Sequence, residues 1–194
     1  MNNKTQTLVG IGLLTAIVVI LQALAVGIRF GVFNITLVLI PIIVGTALYG
    51  YWAGAWLGFV FGVVVLMTDA GVFLAINAPG TFATCILKGA LAGLLAGLVY
   101  KMVAASNKLL AVILAGITAP VVNTGIFLIG CRLFFFDTIK EWAAGAGFES
   151  AGLYMITAFV GVNFVVELAI NLVLSTVIVR LIALGMKTVA SKKN

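Results

Sequence analysis

Along most of the chain, apolar residues run on without the polar spacing of a water-facing helix or the alternation of a half-buried strand. Continuous apolar runs of about 20 residues are what a membrane-crossing helix needs. Six such spans can be placed, at 8–26, 35–49, 53–67, 81–103, 109–131 and 152–184. The second and third are short for a full crossing. Between them the tight turn "YGYW" leaves almost no loop. "GIRFGVFN" joins the first two spans, "TDAGVFLAINAPG" follows the third, and "AASNK" links the fourth to the fifth. The longest connection, "RLFFFDTIKEWAAGAGFES", has room for a short helix lying in the membrane interface. The expected fold is an all-α membrane protein, a compact six-helix bundle forming one domain over 1–194.

Composition agrees. The chain is 64% hydrophobic and 8% charged, with a mean hydropathy of +1.32. A water-soluble domain carries about 25% charged residues, so lipid is the main solvent here. No stretch is left for a soluble catalytic domain. Backbone groups in lipid must pair within the chain, and continuous rather than alternating apolar runs favour helices over a barrel.

The net charge of +6 is unevenly placed. With six spans both termini share a side, and that side collects Lys4, Lys101, Lys108, Arg180, Lys187, Lys192 and Lys193. The other side has Arg29, Arg132 and Lys140, diluted by Asp69, Asp137, Glu141 and Glu149. The excess of cations places both termini in the cytoplasm. The positive charge therefore reads as membrane orientation, and no nucleic-acid partner is implied. "ALA" at 23–25 resembles a signal-peptide cleavage site, but the preceding apolar run exceeds a usual signal core, so it reads as a retained span.

Glycines recur every fourth residue at Gly54, Gly58 and Gly62, and again at Gly89, Gly93 and Gly97. Such ridges let helix backbones approach closely in lipid. Gly12 and Ala16 offer a shorter version on the first span, suited to docking another membrane protein.

Two charges fall inside spans, Lys88 and Glu167. Each costs about 2.5–3.5 kcal/mol at a span centre on insertion scales, so each is expected to face a bundle interior. At a helical rise of ~1.5 Å per residue, Lys88 and Asn123 lie ~12 Å, and Asn163 ~16 Å, below the outer ends of their spans. Asn163, Glu167 and Asn171 share one helix face, with Asn171 deepest and suited to an interhelical hydrogen bond. Two readings stand. Lys88, Asn123, Asn163 and Glu167 line an outward-facing polar pocket, or Lys88 and Glu167 merely pair to tie two spans together. Arg29, Asn77 and Arg132 would stand at the rim of such a pocket, among Phe30, Phe33, Phe73, Phe134, Phe135, Phe136 and Trp142.

Hydrolytic or phosphate-cradling apparatus is not visible. The chain has no His, no GxxxxGK[ST], no HExxH and no GxSxG. Cys85 and Cys131 lie in apolar runs and read as small buried hydrophobes. No enzyme activity, cofactor or metal is expected.

The stretches "FNITLVLIPIIVGTALYGYWAGAWLGFVFG" (33–62) and "NAPGTFATCILKGALAGLLAGLVYK" (77–101) resemble helices two to four of the substrate-binding S components of energy-coupling factor (ECF) transporters. "APVVNTGIFLIG" (119–130) and "GVNFVVELAINLVLS" (161–175) resemble their helices five and six. The resemblance implies a vitamin-binding, multi-pass subunit of the bacterial cell membrane, served by a transmembrane coupling protein and two cytoplasmic ATPase subunits. It implies substrate contacts at Lys88, Asn123, Asn163 and Glu167, rim contacts at Arg29, Asn77 and Arg132, and docking at Gly12 and Ala16. A cation in the pocket suits a ligand carboxylate, such as that of pantothenate. Riboflavin, pyridoxine and a thiamine precursor remain open. The competing classes are a stand-alone carrier using Glu167 as a proton site, and a ligand-free scaffold.

Overall fold

The structure, a computed structural model, describes residues 3–25, 29–30, 33–34 and 37–191. Helix α1 (Asn3–Ala25) is followed by a minimal antiparallel pairing of β1 (Arg29–Phe30) with β2 (Phe33–Asn34). Then come α2 (Leu39–Tyr49), α3 (Tyr51–Thr68), α4 (Gly71–Ile76), α5 (Ala78–Val103) and α6 (Lys108–Phe134). The chain continues through α7 (Phe136–Gly145), α8 (Ala151–Tyr154), a π-helical segment (Met155–Val160) and α9 (Gly161–Ser191).

Five of these stretches are long and apolar enough to cross a membrane: Lys4–Ala25, Tyr51–Thr68, Ala78–Val103, Lys108–Phe134 and Ala151–Leu174. The expected second span is different. It is an 11-residue helix, and at ~1.5 Å per residue it covers only about half of a ~30 Å hydrocarbon layer. Yet it is the most enclosed element, burying Leu39, Pro41, Ile42, Ile43, Val44, Gly45 and Thr46. Short length and deep burial go together, because neighbouring helices rather than lipid surround it. Pro41 sits in its first turn, where the helix has no internal partner for the missing N–H. Gly50, at φ 93°, makes the reversal into α3, a backbone conformation that glycine adopts without penalty.

The glycine ridges of α3 and α5 face each other in antiparallel register. A methyl added to Gly54 would stand 2.6 Å from the Gly93 carbonyl oxygen. One added to Gly58 or Gly62 would collide with the carbonyl of Gly89 or Cys85. Gly97 faces Tyr51. The ridges are thus an internal seam, and α5 packs most extensively on α3 and α6. By contrast, a methyl on Gly12 would meet nothing within 4 Å. Gly12 and Ala16 are exposed, in company with Leu8, Val9, Leu13, Ile17 and Ile20.

The expected loop after the third span is mostly helical, since α4 fills it and α5 starts at Ala78. Asn77 produces that start: its Oδ1 accepts a 2.9 Å bond from the Gly80 N–H, and its carbonyl accepts from Thr81. The long connection before α8 contains a helix, α7, as its length suggested. It buries Ile139 and Ala143 and leaves Asp137, Lys140 and Glu141 exposed.

Candidate ligand site

Lys88 projects from α5 towards aromatic rings. Its Nζ lies 5.7 Å from the ring centre of Phe61 on α3 and 5.5 Å from that of Phe127 on α6. Two ring faces thus take the place of an anion, an attraction that strengthens as water is removed. Lys88 and Glu167 form no ion pair with each other among the described residues. The simple interhelical tie is therefore not the arrangement found.

Asn123 lies one helical turn before Phe127, so the two share a face of α6. Its Oδ1 is buried and has no hydrogen-bond partner among the described residues. A buried carbonyl oxygen without a donor costs about 1–3 kcal/mol, and such an atom on the helix face that carries Phe127 marks a place where a ligand donor would be welcome.

Above these groups stands a cluster of rings. Phe73 from α4 is its hub, with ring centres 4.9 Å from Phe135, 5.9 Å from Phe127, 6.0 Å from Trp142 and 6.3 Å from Phe159. Tyr154 lies 5.3 Å from Phe159 and from Phe148. Most pairs meet edge to face, the geometry that ring quadrupoles prefer. Phe127 belongs to both groups, so the rings holding Lys88 and the rings beneath α4 are continuous. Phe159 enters from the π-helical segment of the last span; such segments are often found at functional sites.

The remaining candidates are placed differently. Glu167 is 5% exposed on α9, and Asn171, 3% exposed, packs beside Gly116 of α6. Both belong to the bundle interior. Asn77 is occupied as the cap of α5. Arg132 is exposed, with its guanidinium carbon 3.8 Å from the Phe136 ring centre. Lys140 approaches that ring at 4.7 Å while bonding Asp137 at 3.1 Å. These residues line a surface groove of about 390 Å³. The side chains of Arg29 and Asn163 lie outside the described residues.

Sequence reasoning missed Phe61 and Phe127. Phe127 had a legible signal, standing four residues after Asn123; Phe61 stands beside Gly62 and looks like any lipid-facing ring. It also missed Gln22, buried on α1 with its Nε2 donating to Asp69 Oδ2 at 2.7 Å.

Five apolar helices long enough to cross a membrane thus enclose a cation, a buried amide oxygen and a cluster of rings. The chain matches the family described as "ECF transporter, substrate-specific component" over residues 6–179, and it belongs to that family. It is also similar to the pantothenic acid transporter PanT of Lactococcus lactis subsp. cremoris (strain MG1363). The identity is 28% over 159 residues, covering 74% of this chain and 75% of the relative. No solved structure gives a significant match. The chain is thus a substrate-specific component of an ECF transporter, a multi-pass protein of the cell membrane.

Proposed function

We propose that this protein is the substrate-binding subunit of an ECF importer and that it captures pantothenate at the outer face of the membrane. The Lys88 ammonium, held between two rings with no ion pair among the described residues, carries this reading. A ligand carboxylate is its natural counter-ion. The unpaired Asn123 Oδ1 asks for a donor, and pantothenate supplies hydroxyls and an amide N–H alongside its carboxylate. The likeness to a pantothenic acid transporter favours the same ligand.

In this reading the cations Lys4, Lys101 and Lys108 face the cytoplasm, and the ring cluster under α4 closes the site on the outside. Glu167 and Asn163 complete the polar wall from the last span, and Arg29 stands at the rim. The exposed face of α1 around Gly12 and Ala16 docks a transmembrane coupling protein, with two ATPase subunits beneath it.

The test is a thermal unfolding screen of the purified chain over a panel of vitamins. Pantothenate at 100 times its dissociation constant should stabilise the protein by roughly 2.7 kcal/mol, with other vitamins inert. Stabilisation by riboflavin or pyridoxine alone would reassign the ligand. Pantothenate uptake into proteoliposomes that lack any ATPase would replace the whole reading with a self-sufficient carrier.

A further inference from the structure

Gln22 is 1% exposed, on a helix whose exposed positions beyond Thr7 are all apolar or glycine. Its Nε2 donates to Asp69 Oδ2 at 2.7 Å, and its Oε1 is buried with no partner among the described residues. A leucine would fill this place without stranding a carbonyl oxygen, which costs about 1–3 kcal/mol. The amide is thus not there for packing, and its bond says what it holds.

Asp69 ends α3. Its N–H and that of Ala70 both bond back to the Val65 carbonyl, at 2.9 and 3.1 Å. The Ala70 carbonyl then accepts from the N–H of Leu74, in the first turn of α4. The corner between α3 and α4 is therefore stiff, and gripping Asp69 grips α4. Helix α4 buries none of its own residues. Leu74 packs on the main core, and on its other side α4 is tied to the bundle by Phe73, packed among Phe127, Phe135, Trp142 and Phe159. Phe127 in turn holds Lys88.

We infer that Gln22 is a positioning residue for the ligand site: through Asp69 it fixes the α3–α4 corner, so that Phe73 stays seated on the rings beside Lys88. Its contribution is to ligand retention. An otherwise apolar, outward-facing helix is thereby mechanically joined to the site. The inference rests on the proposed ligand site but not on which vitamin fills it.

The full-length protein, in nanodiscs, tests this by hydrogen exchange of residues 71–76 and by release of radiolabelled pantothenate. Gln22→Leu should speed exchange in α4 by about five-fold or more, a local opening, without lowering the unfolding midpoint. Pantothenate should leave about five-fold faster while its association rate stays near wild type. Asp69→Asn keeps an acceptor oxygen for Nε2 and should behave like wild type in both. Should Gln22→Leu not fold, Gln22→Met, of closely similar length, serves in its place. Unchanged α4 exchange in a folded Gln22 variant overturns the inference, as does faster exchange spread evenly over the chain with a lowered midpoint. If wild type holds no pantothenate yet α4 exchange responds as described, the proposed ligand falls and the Gln22 tie stands.

Discussion

The ammonium of Lys88 and the ring of Phe127 face each other at 5.5 Å, and the same ring meets Phe73 at 5.9 Å. One side chain thus belongs both to the setting of the charge and to the cover above it. Seating a carboxylate at Lys88 would shift the ammonium relative to Phe127, and the ring cluster would feel the change directly.

Replacing Lys88 by Met keeps the length of the side chain and removes the charge. Truncating one partner of a buried charge pair costs about 2–5 kcal/mol, so pantothenate affinity should fall by on the order of a hundred-fold or more. The unfolding midpoint without ligand should hold or rise, since an intramembrane charge is gone. Calorimetric titration and a thermal melt on the same sample check both halves. Normal binding by Lys88→Met would show the cation to be a bystander.

Asn123→Leu separates ligand contact from packing. Removing the stranded Oδ1 should leave the empty protein as stable as wild type or more so, while weakening pantothenate about ten-fold, the worth of one hydrogen bond to a buried partner. Melting curves with and without ligand would show the two effects moving in opposite directions.

Asn77 and Arg132 should matter less to binding than their rim positions suggest. Asn77→Ala removes the cap of α5 and should cost about 0.5–2 kcal/mol of stability, with affinity following only as far as folding does. Arg132→Ala leaves an exposed ring contact behind, and its effect should stay within about 1 kcal/mol. A hundred-fold loss of affinity in either variant, with the melt unchanged, would restore that residue to the ligand site.

Small-residue positions should divide into two kinds. Gly58→Leu drives a side chain into the Gly89 carbonyl, and overpacking of this kind costs typically about 1–3 kcal/mol or more. It should express poorly or melt early. Gly12→Leu points into open space and should fold and bind pantothenate normally, yet fail to co-purify with the coupling complex. Retained complex formation by Gly12→Leu would move the docking face elsewhere on the protein.

What could be seen in the sequence was whatever depends on long apolar runs and fixed spacing. The glycine ridges of α3 and α5 were legible because a four-residue repeat states which face is narrow, though not what it faces. Lys88 was legible because a lysine mid-span has no cheap explanation. Its partners were not, because Phe61 and Phe127 look like the many other rings in lipid-facing runs; only the crossing of α3, α5 and α6 turns their faces to one point. The eleven-residue α2 read as a short span since burial inside a bundle and burial in lipid select the same residues. Gln22 escaped because its meaning lies in Asp69, forty-seven positions along the chain. Helix α4 was hidden by its brevity, since six residues are too few to show a period.

The α3–α5 seam also bears on how relatives of this protein can diverge. With carbonyl oxygens pressed against the α-carbons opposite, neither strand of the seam can accept a larger residue unless its mate retreats, and there is nothing smaller than glycine to retreat to. Change at these glycines is locked, whereas the residues around Lys88 can exchange side chains one at a time. Relatives that bind other solutes should therefore keep the seam glycines and differ at the site positions between them, such as Phe61 and Lys88, and along α6, which makes the seam the natural reference frame for transplanting one specificity onto another.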